Sequence, residues 1–408
     1  MIALLLGSAA LILLSAFSGP LGRHGVTSAM AFVLAGLVLA LAFGDSLGIS
    51  LEATSVLRIA ELALVFLLFN DAARLDPAAL RRSPGWPARL LGAGLPATIL
   101  LGFVAGMVLF PGLPLSSVFL LSAMLCATDA ALGHRVVEDP SVPVPVRRAL
   151  NVESGLNDGI AVPFFLVSLD ITMSALDGSV PSALAAALAR QIGWGLPAGV
   201  LIGCAGGYLQ RAAGRRGWFE TRWRQPCTLA VALAAYAAAV TLGGSAFLAA
   251  FAAGLAFRLA HGNEDAEATR FTEETGGILA AATWLLFGAL AVMAALPHIT
   301  WQVLAYAVLS LTAVRMLPVA VAMAGSGAPW QTRAFMGWFG PRGLASVVFA
   351  LLAYERGTPE AVTLLTTVVV TVGLSVFAHG LSAGRLVAAY SRWSGAGPGA
   401  QPPPLNQR

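Results

Sequence analysis

The sequence predicts an all-α polytopic membrane protein, and three observations lead to that fold class. Of its 408 residues, 58% are hydrophobic and 11% are charged, whereas a soluble domain carries about 25% charged residues. The mean hydropathy is +0.80. Apolar runs of about 20 residues, the length that a helix needs to cross about 30 Å of hydrocarbon, recur along the chain. This composition excludes a soluble enzyme, a nucleic-acid-binding protein and a disordered chain.

The apolar runs predict about thirteen transmembrane helices, numbered here as spans 1 to 13. They are centred near residues 9, 35, 62, 98, 123, 156, 200, 233, 252, 286, 312, 345 and 371. Span 6, at about residues 147–169, is the least apolar because it contains Glu153, Asn157 and Asp158. Only Gly243 and Gly244 separate spans 8 and 9.

The arginines predict the orientation of these helices. All 24 basic residues are arginine; nineteen fall in segments on one side of the predicted membrane, and one, Arg356, falls on the other. Because cytoplasmic loops carry an excess of basic residues, this asymmetry predicts an outside N-terminus and a cytoplasmic C-terminus. Residues 391–408 are rich in proline and glycine, which predicts a short disordered cytoplasmic tail.

Ionisable side chains inside a span are costly and by default functional. Some have a simpler interpretation here: Arg58 and Glu61 lie three residues apart on one helix and predict a local ion pair. Arg190 and Arg315 are interpreted as neutralising neighbours or reaching to the interface. The histidines in and near the spans, His379 among them, share no helix face, which argues against a proton relay.

Span 6 carries the clearest candidate site. Glu153 and Asn157 are four residues apart, and so are Ser154 and Asp158, so the four side chains form two adjacent rows on one helix. Carboxylate, amide and hydroxyl oxygens suit a hard cation that has lost its water. Span 5 adds Thr128 and Asp129 in the middle of its apolar run. These residues predict a cation site between spans 5 and 6.

Span 12 predicts a broken helix. Pro341 lacks an N–H and clashes with the preceding turn, and Gly340 and Gly343 tolerate unusual backbone angles. Arg342 lies at the break. Broken helices at membrane depth line ion sites in transporters built from inverted repeats. If spans 1–6 and 8–13 are two such repeats, spans 5 and 12 are equivalent and cross at the membrane midplane; this inference rests on span numbering alone.

At these residues the chain resembles the prokaryotic sodium/proton antiporters of the monovalent cation:proton antiporter family, the branch that includes the animal sodium/hydrogen exchangers. The matching segments run along most of the chain and read ELALVFLLFNDAARLD, ATDAALG, RRALNVESGLNDGIAVPF, GGSAFLAAFAAGLAF, RMLPVAVA, GWFGPRGLASVVFALL and SVFAHGLSA. The resemblance implies a transmembrane domain over residues 1–390, in which a core domain (spans 4–6 and 11–13) moves against an interface domain made of the other spans.

The resemblance also assigns residues to roles. It implies Na⁺ ligands at Asp129, Asp158, Ser154 and Thr128, an orienting role for Asn157, a structural ion pair between Glu153 and Arg342, and an accessory acidic residue at Asp71. It implies a homodimer in the lipid bilayer of the bacterial cytoplasmic membrane. The cargo is Na⁺ and H⁺, with no cofactor and no nucleic-acid partner.

The residues support a mechanism for this exchange. A carboxylate in a dry cavity is penalised for its charge, so Asp158 can hold either a proton or a cation. Competition for one site that opens alternately to the two sides is sufficient for antiport. Asn157, the residue before Asp158, cannot titrate. One titrating carboxylate therefore predicts electroneutral exchange of one cation for one proton, serving pH and sodium homeostasis.

Several alternatives remain at this point. A K⁺/H⁺ antiporter of the same family would use the same residues, and a sodium-coupled organic-anion symporter would need a larger polar pocket. A passive channel would lack saturable, pH-dependent exchange. An intramembrane aspartyl protease would need a GxGD motif, which the sequence lacks. The sequence therefore predicts a transporter and not an enzyme.

Overall fold

The computed structural model describes residues 2–44, 48, 54–75, 85–177, 181–262 and 268–395, and all the regular structure in those ranges is helical. The helices are α1 Ile2–Ala16, α2 Ser18–Arg23, α3 Ser28–Phe43, α4 Thr54–Arg74, α5 Gly85–Leu109, α6 Leu115–Met124, α7 Ala130–Glu138, α8 Val144–Asp177, α9 Pro181–Arg215, α10 Thr221–Thr241, α11 Ala246–His261, α12 Arg270–His298, α13 Trp301–Leu311, α14 Ala313–Ala322, α15 Trp330–Trp338, α16 Leu344–Glu355 and α17 Ala361–Ser394.

The predicted all-α fold is confirmed. Twelve of the thirteen predicted span centres lie within one of these helices, and the remaining one, residue 312, lies at the junction of α13 and α14. In the described ranges, six continuous helical stretches are long and apolar enough to cross a membrane, namely α5, α8, α9, α12, α13 with α14, and α17. Several other spans consist of shorter apolar helices. The number of spans stays a prediction.

Spans 5 and 12 are each interrupted by a short non-helical segment. In span 5, α6 ends at Met124 and α7 begins at Ala130. In span 12, α15 ends at Trp338 and α16 begins at Leu344, so the predicted break at Pro341 is confirmed. The two interruptions, residues 125–129 and 339–343, therefore lie in the two spans that the repeat argument pairs.

The buried core fixes α8, which carries the candidate site, against its neighbours. Phe165 on α8 stacks on Phe349 of α16 with 4.3 Å between ring centroids, and Phe247 of α11 meets Phe349 edge-on. All three rings are buried. Aromatic pairs in such geometries are favourable beyond the area that they bury. The rings therefore hold the C-terminal half of α8 in one position relative to α16 of span 12.

Two smaller predictions can also be compared with the structure. The local pair is confirmed: Arg58 Nη1 lies 2.7 Å from Glu61 Oε2. The predicted tail starts too early, because α17 continues through residues 391–394 and ends at Ser394. The remainder of that tail, residues 396–408, lies outside the described residues.

A row of glycines brings α9 and α11 into backbone contact. Gly195, Gly199, Gly203 and Gly207 are spaced four apart and all are buried. A Cβ atom built at Gly199 or Gly203 would overlap the carbonyl oxygen of the facing α11 residue, and one at Gly207 would lie 2.7 Å from the Phe257 carbonyl oxygen. Small residues at intervals of four allow membrane helices to approach closely, so this row fixes the α9–α11 pair.

We expect Gly199→Ala to destabilise the protein by about 1–3 kcal/mol, because the added methyl group forces two backbones apart. The matched control is Gly193→Ala on the same helix, where a Cβ atom would meet no atom within 4 Å. Thermal melting in detergent compares the two variants. Equal melting temperatures would contradict the packing described for this row.

Candidate functional site

Four polar side chains project from one face of α8, as the spacing predicts. Glu153, Ser154 and Asn157 are buried, with 1%, 7% and 0% of their surface exposed. Asp158 is partly buried, and within the described residues its Oδ1 atom has no hydrogen-bond partner. A buried carboxylate oxygen without a donor is costly. Asn157 Oδ1 likewise has no partner within the described residues, so Asp158 is the charged group on this face with an oxygen left without a donor.

Asn157 connects α8 to the interrupted part of span 5. Its Nδ2 atom donates to Thr128 Oγ1 over 2.9 Å and faces the carbonyl oxygen of Cys126 at 3.4 Å. Thr128 is fully buried. The bond uses an Asn157 donor and a Thr128 lone pair, so it fixes the position of Thr128 beside α8 and leaves the hydroxyl's second lone pair available.

Asp129 joins the two interrupted spans. Its Oδ1 atom accepts the N–H groups of Ala131 and Leu132 at the start of α7, over 2.8 and 3.2 Å. Its Oδ2 atom accepts the N–H of Leu344 at the start of α16 over 3.0 Å. Its own N–H donates to the carbonyl oxygen of Pro341 over 2.8 Å. One carboxylate therefore satisfies donors at the N-termini of two half-helices, which favour negative charge.

The close approach of these segments depends on Gly343. A Cβ atom at this position would overlap the carboxylate of Asp129. The glycine that the sequence indicates as a flexible point at the helix break therefore has a second purpose, since it leaves room for a carboxylate from span 5.

Asp71 approaches the site from α4. A Cβ atom built at Gly155 of α8 would lie 3.8 Å from the Cβ of Asp71, which is ordinary contact. Asp71 and Asp129 both lie within electrostatic range of Asp158. Three carboxylates, one each from α4, the interruption of span 5, and α8, thus converge on one region. Like charges this close disfavour the simultaneous ionisation of all three carboxylates. A cation or a proton bound among them would therefore stabilise the cluster.

Glu153 pairs with Arg315 of α14, so the predicted Glu153–Arg342 pair is wrong. The two nitrogens of the Arg315 fork lie 2.6 and 2.7 Å from the two Glu153 oxygens. Both side chains are 2% exposed. Gly340 packs directly on the guanidinium, leaving no room for a Cβ atom. A bidentate fork is the strong geometry for a buried pair.

Arg342 instead stabilises the broken end of α6. Its Nη1 atom donates to the carbonyl oxygens of Cys126 and Ala127, over 2.9 and 3.2 Å. Carbonyls at the end of a helix lack partners within it, and a cation is favoured at that end by the helix dipole. These orphaned carbonyls are the physical reason why Arg342 faces span 5 and not Glu153.

The role of Arg315 is not evident from the sequence. There it is interpreted as a neutralising or snorkelling side chain, although it lies in the segment RMLPVAVA that carries part of the resemblance. A buried arginine requires a partner, and both Arg315 and Arg342 lie within predicted spans that could bring them to Glu153. Which arginine pairs with Glu153 depends on where the break in span 12 directs the Arg342 side chain, and the spacing of residues does not determine that direction.

Interrupted helices that cross at a cluster of carboxylates define a class of protein: secondary transporters for ions. Comparison with known sequences gives the family. The sequence model of the transmembrane sodium/hydrogen exchangers matches residues 7–389, and the chain belongs to that family. Its members are transporters and not enzymes, and their exchange generally requires no cofactor. The predicted family and class are confirmed.

Individual relatives agree with this assignment. The chain is 28% identical over 348 residues to the K(+)/H(+) antiporter NhaP of Alkalimonas amylolytica, covering 82% of this chain and 57% of that protein. It is 35% identical over 109 residues to Na(+)/H(+) antiporter 2 of Zygosaccharomyces rouxii, covering 26% of this chain and 13% of that protein. The chain thus spans little more than half the length of the first of these relatives.

A solved structure shows the same fold. The sodium proton antiporter MjNhaP1 from Methanocaldococcus jannaschii superimposes with a TM-score of 0.77 and 19% identity, over 96% of this chain and 99% of that one. At this identity the likeness concerns the fold alone. It extends over nearly all of both chains.

We expect Arg315→Met to lower the stability by about 3–5 kcal/mol, because it leaves the Glu153 carboxylate buried and unpaired. Adding Glu153→Gln removes that charge and should recover part of the loss, as measured by thermal melting in detergent. The matched control is Arg342→Met, which Glu153→Gln should not rescue. If Glu153→Gln rescued Arg342→Met and not Arg315→Met, the result would contradict the Glu153–Arg315 pair and support a Glu153–Arg342 pair instead.

Proposed function

We propose that this protein is a secondary active antiporter that exchanges a monovalent cation, Na⁺, for H⁺. The observation that carries the proposal is the buried Oδ1 atom of Asp158, which has no partner in the part of the chain that the structure describes, near the anchored carboxylate of Asp129. Ser154 and Thr128 supply hydroxyl oxygens at the same place, and oxygen ligands suit a hard cation. Family membership supports the same function.

Asp158 and Asp129 have different roles in this proposal. Asp129 accepts three backbone N–H groups, two on Oδ1 and one on Oδ2, and these donors stabilise the charged carboxylate. Asp158 has no such anchor on Oδ1 within the described residues. Asp158 is therefore the carboxylate that alternates between a proton and a cation, while Asp129 remains a fixed negative ligand.

The contacts support the proposed division into a moving core and an interface domain. Bonds within the proposed core join span 4 to span 5, through Ser122 and Ile99, and span 11 to span 4, through Tyr306 and Gly102. The Glu153–Arg315 pair joins spans 6 and 11. Within the proposed interface domain, the glycine row joins α9 to α11. The cation site lies where the two groups of helices meet.

The substrate alternative within the family is K⁺. The relative from Alkalimonas amylolytica, which matches 82% of this chain, is named as a K(+)/H(+) antiporter, whereas the yeast relative is named as a Na(+)/H(+) antiporter. Dissipation of an imposed pH gradient in proteoliposomes, on adding Na⁺, K⁺ or Li⁺ separately, distinguishes these substrates.

We further propose a homodimer in the bacterial cytoplasmic membrane, with the N-terminus outside and the C-terminus inside.

We expect Asp158→Asn and Asp129→Asn each to abolish cation-dependent proton flux in proteoliposomes, because each change removes a charged ligand. The matched control is Asp170→Asn, the same substitution on α8 at a residue bonded to Gln191. That variant should retain exchange. Wild-type flux in the Asp158 variant would overturn the assignment of the site, and loss of flux in all three would point to a general effect of altering buried carboxylates.

We expect exchange to be electroneutral, because a single alternating carboxylate carries one positive charge in each direction. The test is sodium-dependent proton flux in proteoliposomes whose membrane potential is clamped with potassium and valinomycin. The rate should not change with voltage. A steep dependence on voltage of either sign would refute the one-proton mechanism and identify Asp129 as a second proton carrier.

A further inference from the structure

His379 lies against the break in span 12, in the segment SVFAHGLSA that the proposed exchange does not use. Its side chain, on α17, is 1% exposed. The Nε2 atom lies 2.8 Å from the carbonyl oxygen of Trp338, the last residue of α15. That oxygen also accepts the N–H of Gly340 over 2.8 Å. A carbonyl oxygen accepts two bonds, so His379 completes the satisfaction of a carbonyl at a helix end.

The other side of the imidazole reaches the far end of the same break. The N–H of Arg342 donates to Ser375 Oγ over 2.7 Å. Ser375 Oγ in turn lies 3.2 Å from His379 Nδ1. Ser375 and His379 are four residues apart on α17, so both lie on one face of the helix. Together they contact residues before and after Pro341.

The partners determine where the protons lie. The Trp338 carbonyl oxygen can only accept, so His379 Nε2 carries a hydrogen. The Ser375 hydroxyl accepts from the Arg342 N–H and has one hydrogen of its own, which it donates to Nδ1 when that nitrogen carries no hydrogen. In a neutral ring with its hydrogen on Nε2, the bonds run in one direction, from the Arg342 N–H through Ser375 and His379 to the Trp338 carbonyl. That arrangement satisfies these three contacts and places no hydrogen between Nδ1 and the Ser375 carbonyl oxygen.

The surrounding charges agree with a neutral ring. The guanidinium groups of Arg315 and Arg342 both lie within electrostatic range of His379. The ring also packs on the indole of Trp338, with 5.0 Å between centroids, and the adjacent Gly380 contacts α3 through Met30 and Thr27, which carry no charge. A second proton on the imidazole would face two cations. It would have to donate to the Ser375 carbonyl oxygen, which lies 2.9 Å from Nδ1.

We propose that His379 is a positioning residue for the cation site. Through Ser375 and Trp338, it holds residues 339–343 against α17. This segment contains the Pro341 carbonyl oxygen that accepts the Asp129 N–H. It also directly precedes Leu344, whose N–H donates to the Asp129 carboxylate. A shift of the segment would move Asp129 and weaken cation binding, while the proton-carrying Asp158 stays on α8. This role rests on the proposed exchange function.

Two near-isosteric variants separate the contact of His379 Nε2 with Trp338 from the contact of Nδ1 with Ser375. Glutamine at position 379 places its amide nitrogen near the Nε2 position and can still donate to Trp338, whereas asparagine reaches only the Nδ1 position. We expect His379→Asn to raise the KM for the cation about tenfold, the effect of losing about one buried hydrogen bond. His379→Gln should stay close to the wild-type KM, and both should keep a kcat near that of the wild type. His298→Asn, at an exposed histidine, is the control.

Rescue by glutamine and not by asparagine is the result that a merely structural role would not give. An unchanged KM in His379→Asn, or equal losses in both variants, would overturn the proposal. Melting curves of both variants distinguish a loss of fold from a loss of positioning.

A spectroscopic test does not depend on transport. In wild-type protein labelled with ¹⁵N-histidine, the imidazole nitrogens should report a neutral ring with its hydrogen on Nε2; the signal that disappears in His379→Gln identifies residue 379. A ring protonated on both nitrogens, or on Nδ1 alone, would overturn the proton arrangement. If wild-type protein exchanges none of Na⁺, K⁺ and Li⁺, the proposed function fails, whereas this measurement still decides the bonding of His379.

Discussion

The structure depends on one constraint: two interrupted helices inside a membrane leave backbone N–H and C=O groups that water cannot satisfy. Each break is closed by side chains from the other interrupted span or from a neighbouring helix. Asp129 accepts N–H groups of α7 and α16, Arg342 donates to the carbonyls after α6, and Ser375 accepts the Arg342 N–H. The candidate site thus consists largely of groups that also satisfy the backbone.

The buried charges follow the same logic. Arg315 and Glu153 neutralise each other in a bidentate pair, Asp129 is compensated by N–H donors, and Arg342 by carbonyls. Once these are assigned, Asp158 stands out among the described carboxylates of α8 because Oδ1 lacks a donor. The proposed exchange rests on this difference: a carboxylate oxygen without a donor is free to bind either a proton or a cation, and in the proposal the two compete for it.

The sequence predicted the helical class, the span positions, the break at Pro341 and the residues that converge around Asp158. These depend on composition, hydrophobic run length and the spacing of four on one helix. It mispaired Glu153 because the direction of Arg342 is set by the carbonyls of a different span, a contact between residues 216 positions apart. It also missed the glycine row on α9, whose spacing is visible in the sequence, and the contacts of His379, whose partners are mostly backbone atoms.

Two glycines of α8 explain how the proposed motion could reach the site. Gly155 and Gly159 are four residues apart and share one side of the helix, and Gly155, three residues before Asp158, borders that carboxylate. Gly155 faces Asp71 of α4, and a Cβ atom at Gly159 would lie 2.5 Å from the ring of Phe251 on α11. Both partners belong to the proposed interface domain. In the proposed division, α8 therefore meets α4 and α11 at two glycines beside Asp158, where the absence of a side chain on α8 leaves less to displace when one surface moves along the other. The hydrogen bonds and the ion pair that join spans 4, 5, 6 and 11 fit a proposed core that carries Asp158 with it as one body.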